Sequence, residues 1–240
     1  MRHKPRFRWA GLRSGYERGG LQVNALCLIL LVLLLTTFGH GAAIAKPIRL
    51  LALGTSLTQG YNLPPGTDFT SVLQAKLQKA GFDAVVVNAG VSGDTSADGL
   101  ARVDWALAEP YDAAIVEFGS NDALRGLDVG QTRANLDAVL TKLTARGLVV
   151  MLAGMKAPRN LGAEYAYAFD KIYPALAKKH NVLLYPFFLD GVAANLKLNQ
   201  RDGIHPNEAG TQIIVTRMLP YVEKLIAQVS AKKSTAPAMN

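Results

Sequence analysis

Ile48-Arg49-Leu50-Leu51-Ala52-Leu53-Gly54-Thr55-Ser56-Leu57 is the stretch whose reading decides the fold. Residues 48–53 are an almost unbroken apolar run without the polar alternation of a half-exposed strand. Such a run reads as a strand buried on both faces, as in a parallel sheet. Runs of the same character recur at 84–88, 113–118, 149–153 and 182–185. Between them lie helical patterns at 69–80, 96–107, 131–146 and 164–179, and a last one spans 208–229. In 69–80, Phe69, Val72, Leu73, Leu77 and Ala80 recur at helical spacing and make one face largely apolar. Gly81 and Gly147 follow two of the helices, where a left-handed cap is expected. This alternation predicts an α/β fold. The expected architecture is a three-layer α/β/α sandwich on a five-stranded parallel sheet, with right-handed crossovers.

A chain of 240 residues suits one medium domain, placed at 46–229 with no linker inside it. The formal charge of +8 is concentrated at the start. Residues 1–45 hold six Lys/Arg and one acid, which leaves 20 bases against 17 acids in the rest. That balance gives no basic block for nucleic acid. Residues 1–45 read as a signal peptide: a basic stretch, an apolar run at 25–38, then Ala43-Ile44-Ala45 as a cleavage site. The apolar run has 14 residues, short of the ~20 that a spanning helix needs. The expected location is therefore periplasmic or secreted, with membrane contact only through an uncleaved signal or a lipid substrate. Cys27, the single cysteine, lies inside that run. The mature chain then has no thiol nucleophile, disulfide or cysteine metal site. Residues 230–240 read as a disordered tail.

Ligands of open parallel sheets bind at the carboxyl ends of the strands. Ser56 follows the first predicted strand, Gly93 the second and Asn121 the third; Asp202 and His205 follow the fifth. A serine hydroxyl needs a base to become a nucleophile. Only His180 and His205 remain after signal removal. His180, in Lys-Lys-His-Asn at a helix end, reads as a solvated residue or a partner of the helix dipole. His205 stands three residues after Asp202, whose carboxylate can fix the ring tautomer and stabilise the imidazolium. Gly93 allows close approach to the backbone, and the Asn121 amide is a second donor for an oxyanion. Taken singly, each string is an ordinary polar turn or helix cap.

Four blocks in order, Gly54-Thr-Ser-Leu, Gly90-Val-Ser-Gly93, Gly119-Ser-Asn-Asp122 and Asp202-Gly-Ile-His205, resemble the SGNH or GDSL-type hydrolases. Asn88–Ser96, Gly99-Leu-Ala-Arg102 and Pro186-Phe-Phe188 are similar to the arylesterase, thioesterase I and lysophospholipase L1 branch. The resemblance implies a flavodoxin-like SGNH hydrolase fold. It implies Ser56 as nucleophile, His205 as base and Asp202 as its orienter. The oxyanion hole falls to the Ser56 and Gly93 amides and Asn121. No metal or organic cofactor is implied. The implied partner is a small-molecule ester or lipid substrate. Thr55 departs from the name-giving motif, which has Asp there, and is expected to alter local hydrogen bonding or pH response while leaving the triad intact. Residues 123–127 and 156–165 are expected to line an acyl pocket, with Leu124, Arg125, Pro158 and Tyr165 binding substrate and Arg159 and Tyr167 at its rim. Two alternatives remain. One is a carbohydrate O-acetyl esterase or acyltransferase on the same site, and the other a non-catalytic binding module. No Gly-x-Gly-x-x-Gly or Walker-type loop follows a strand, which argues against a nucleotide-binding sheet.

Overall fold

The structure is a computed structural model that describes residues 46–235. The signal expected at 1–45 lies outside the described residues, as do 236–240. Strands β1 (Ile48–Gly54), β2 (Ala84–Gly90), β3 (Ala113–Glu117), β4 (Val149–Ala153) and β5 (Leu183–Tyr185) form one parallel sheet in the order β2-β1-β3-β4-β5. This is the expected five-stranded sheet. Every residue of β3 is buried, and β1 is buried from Leu50 onward, as their unbroken apolar runs require.

The helices among the described residues are α1 (Ser56–Gln59), α2 (Phe69–Lys79), α3 (Ser96–Ala106), α4 (Ser120–Leu124), α5 (Val129–Ala145), α6 (Ala163–Asp170), α7 (Ile172–His180) and α8 (Glu208–Thr235). Helices α2 and α8 pack together on one face of the sheet, and α3, α5 and α7 on the other. The core between the layers is aliphatic: Leu50, Leu53, Val116, Leu140, Leu152 and Val215 are fully enclosed. Each such side chain contributes about 1.5–3 kcal/mol by leaving water. Asp68 caps α2 through the Thr70 and Ser71 amides, and Thr95 caps α3 in a capping box with Asp98. Gly81 and Gly147 take the expected left-handed conformation, at φ 86° and 78°.

Three expectations are corrected. The helix expected over 164–179 is two helices, α6 and α7, meeting at Lys171. Pro174 has no N–H to offer the Asp170 carbonyl, and its ring crowds that position. The tail expected to be disordered from Ser230 is helical through Thr235. Val229 is buried, Lys232 reaches the Gly147 carbonyl, and Lys233 lies 2.8 Å from Asp112. These anchors hold a turn that composition alone reads as loose. His180, read as solvated, is mostly enclosed and paired with Asp137.

The order of the strands positions the site. From the β2 edge the chain crosses β1 to form β3, so the connections leaving β1 and β3 diverge. A crevice opens between them at their carboxyl ends. Ser56 leaves β1 there, and Glu117 and Asn121 leave β3.

Candidate active site

Thr55 ends β1 in an extended conformation and caps α1, and Gly60 closes that single turn at φ 85°. Ser56 is therefore the first residue of a short helix, with its backbone N–H directed outward. The Ser56 hydroxyl lies 2.9 Å from His205 Nε2, and His205 Nδ1 lies 2.7 Å from Asp202 Oδ2. Asp202 Oδ1 accepts from the Ile204 and His205 amides, both at 3.0 Å. The carboxylate thus shapes its own loop and holds the ring. With Nδ1–H directed at Asp202, Nε2 is left to accept from Ser56. Burial pushes the Asp202 carboxyl up, but these bonds outweigh it and hold the group below its ordinary value. The loop is braced against α1: Gln200 donates to the Tyr61 and Pro206 carbonyls, and the Tyr61 ring sits 4.7 Å from the His205 ring.

Opposite the histidine are the donors. Gly93 has φ 88°, which a side chain would strain, and open space where a Cβ would project. Among the described residues, neither the Ser56 N–H nor the Gly93 N–H meets an acceptor. Asn121 Nδ2 donates one hydrogen to the Asp94 carbonyl at 2.8 Å, which leaves its second hydrogen free. Arg102 braces these segments together. It donates to Asp94 Oδ2 at 2.6 Å and to the Gly54 carbonyl at 2.9 Å. Buried Asp122 fixes the start of α4 by accepting from the Ser96 amide and hydroxyl.

A cleft of about 470 Å³ opens beside Ser56 and His205, within the range of ligand pockets. Leu124, Met155, Pro158, Phe187, Leu189 and Ile204 give it an apolar wall, and Lys156 and Asn121 also face it. Of the residues expected to bind substrate, Leu124 and Pro158 are in this wall. Arg125 and Tyr165 are not: Arg125 donates to the Gly93 carbonyl, and Tyr165 donates to the Leu127 carbonyl and stacks on Phe169. Tyr167, also expected at the rim, faces a separate hollow with Lys171 and Pro174, while Arg159 borders both. Sequence reading missed Phe187, Met155 and Leu189, which arrive after β4 and β5 and show no motif. Apolar residues just past a strand end were the available signal.

One buried acid stands behind the nucleophile. Glu117, the last residue of β3, is wholly enclosed. Its carboxylate accepts from the Thr55 N–H at 2.9 Å, the Thr58 hydroxyl at 2.9 Å and the Thr55 hydroxyl at 3.1 Å. Burial pushes the carboxyl up to about 7, against the opposing effect of these donors. The folded chain therefore keeps a proton that the unfolded chain releases near the ordinary value of 4.5. The stability this proton confers is complete at acid pH and is lost as pH rises from that value through about 7. Denaturation of wild type and Glu117→Gln across this range is expected to show wild type losing about 3 kcal/mol relative to the variant. Parallel curves would contradict the assignment.

With this geometry in place, the chain's likenesses can be stated. Residues 52–213 match the model of the GDSL-like Lipase/Acylhydrolase family. The chain is 39% identical over 178 residues to the esterase TesA of Pseudomonas aeruginosa, spanning 74% of this chain and 89% of that protein. It is 38% identical over 197 residues to the thioesterase 1/protease 1/lysophospholipase L1 of Escherichia coli, spanning 82% and 91%. The crystal structure of AlinE4, an SGNH-hydrolase family esterase, superposes with a TM-score of 0.65 at 42% identity, covering 76% of this chain and 98% of that one. Fold, matched span and identity agree: this chain is an ester-hydrolase-type enzyme of the GDSL-like lipase/acylhydrolase family.

Proposed function

We propose that the protein is an exported serine esterase that hydrolyses aryl or acyl esters, lysophospholipids and thioesters through an acyl-enzyme. One observation carries this reading. A hydroxyl, an imidazole and a carboxylate stand in line at 2.9 and 2.7 Å, beside two unpaired amides and an apolar cleft. Ser56 attacks the substrate carbonyl as His205 Nε2 takes its proton. Asp202 steadies the imidazolium that forms. The oxyanion is held by the Ser56 and Gly93 amides and Asn121. His205 then protonates the leaving alcohol or thiol, and water enters by the same path to release the acid. The export signal at 1–45 places this activity in the periplasm or outside the cell.

Removing one oxyanion donor costs about 10²–10³ in turnover. Asn121→Ala is therefore expected to lower kcat by about that factor with little change in KM. Steady-state kinetics check it, and a loss confined to KM would contradict the role. Acyl selectivity tests the reading as a whole. Each methylene entering an apolar cleft contributes up to ~0.8 kcal/mol, or roughly fourfold. The kcat/KM for p-nitrophenyl esters should rise from acetate through longer acyl chains until the cleft is full. A maximum at acetate would favour the O-acetyl esterase reading, which the apolar wall opposes.

A further inference from the structure

Glu117 touches no substrate in the mechanism above, yet it is built into the nucleophile's turn. Gly54 makes room for it: a Cβ there would lie 2.6 Å from Glu117 Oε2 and 2.2 Å from the Thr58 hydroxyl. The Thr55 N–H and the Thr58 hydroxyl both donate to Oε2, one on each side of Ser56. The Thr55 hydroxyl lies between Oε1 of Glu117 at 3.1 Å and the Ser120 hydroxyl at 3.5 Å, and Ser120 borders the cleft next to Asn121. In the Gly-Asp-Ser-Leu form of the motif, this place holds a carboxyl group instead of a hydroxyl.

We propose that Glu117 is a positioning residue for Ser56, and that the Thr55 hydroxyl couples its protonation to the Ser120–Asn121 side of the cleft. The inference rests on Ser56 being the nucleophile. With Glu117 ionised, all three donors find an acceptor and the turn is held from both sides. When Glu117 takes a proton, Oε2 keeps its two donors, so the proton sits on Oε1 and faces Thr55. The Thr55 hydroxyl then changes from donor to acceptor and must direct its own hydrogen elsewhere. Ser120 is its remaining partner among the described residues. The ionised form is therefore the active form. The charged and titratable groups around the carboxylate do not take over this role. Arg102 of α3 is bonded to the Gly54 carbonyl and Asp94. Asp122 of α4 is held by Ser96 and Thr132. Tyr173 of α7 donates to the Phe118 carbonyl, and burial together with the negative charges of Asp122 and Glu117 keeps its phenol protonated.

The test is the pH dependence of kcat/KM on an uncharged p-nitrophenyl ester, for wild type, Glu117→Gln, Thr55→Val and Thr55→Ser. His205 must lose one proton to act as a base and Glu117 a second. The acid limb of wild type, plotted as log kcat/KM, should therefore approach a slope of two. Glu117→Gln is locked in the neutral arrangement. Its limb should have a slope of one and its plateau should fall roughly 10- to 10²-fold, as for a misplaced catalytic group. Thr55→Val removes one donor from the carboxylate and should move the second ionisation to higher pH, while Thr55→Ser restores it. A wild-type slope of one overturns the proposal and leaves the Ser56–His205 reading intact. So does a Thr55→Val profile that superposes on wild type, even where Glu117→Gln cannot be purified. Undiminished turnover in Ser56→Ala would instead sink the reading beneath it.

Discussion

Ser56→Ala and His205→Ala are each expected to lower kcat by about 10³–10⁶-fold, and the double substitution by no more than either alone. The reason is the 2.9 Å contact between the two side chains. Neither works without the other: an alanine at 56 leaves the imidazole no proton to take, and an alanine at 205 leaves the hydroxyl protonated. A residual rate above water should survive in all three variants, because the Ser56 and Gly93 amides and Asn121 still polarise a carbonyl. Initial rates on one p-nitrophenyl ester, with circular dichroism to show that each variant is folded, check this. Losses that multiply in the double variant would mean that the two residues act independently.

Asp202→Asn is expected to cost about 10⁴-fold in kcat, through the tautomer and not the charge alone. Asp202 uses both oxygens: one accepts from the Ile204 and His205 amides, the other from the ring. Asparagine has one acceptor. If its oxygen keeps the two amides, its NH₂ faces His205 Nδ1, and the ring must carry its proton on Nε2. That nitrogen then cannot accept from Ser56. Asp202→Ala removes the loop anchor as well, so it should lower the thermal midpoint more than Asp202→Asn does. The two readouts separate orientation from folding. An Asp202→Asn variant with near-wild-type kcat would show that water, which reaches this half-exposed carboxylate, suffices to orient the ring.

Much of this was legible in the residues, for identifiable reasons. The strands of the sheet declare themselves because both faces are buried, which demands unbroken apolar runs such as Leu50–Leu53 and Ala113–Val116. Ser56, Gly93, Asn121, Asp202 and His205 could be named because each follows a strand. What was not legible depends on packing between distant segments. Nothing near Arg125 or Tyr165 says that their polar ends turn back to the backbone instead of toward the cleft. Glu117 reads as the polar end of a strand, and only the folded turn shows Thr55 and Thr58 closing on it. The last turn of α8 is held by Asp112 and Gly147, more than 80 residues away in the chain. The corrected elements are thus those fixed by tertiary contacts, and the correctly read ones are those fixed by local pattern.

The most direct measurement is the mass of the protein quenched in acid within milliseconds of mixing residues 46–240 with p-nitrophenyl butyrate. The expected result is a transient mass increase of one butyryl group per chain, located by digestion to the peptide containing Ser56 and absent in Ser56→Ala. An adduct on another residue, or full turnover with no covalent species at any time in either protein, would contradict a Ser56 acyl-enzyme.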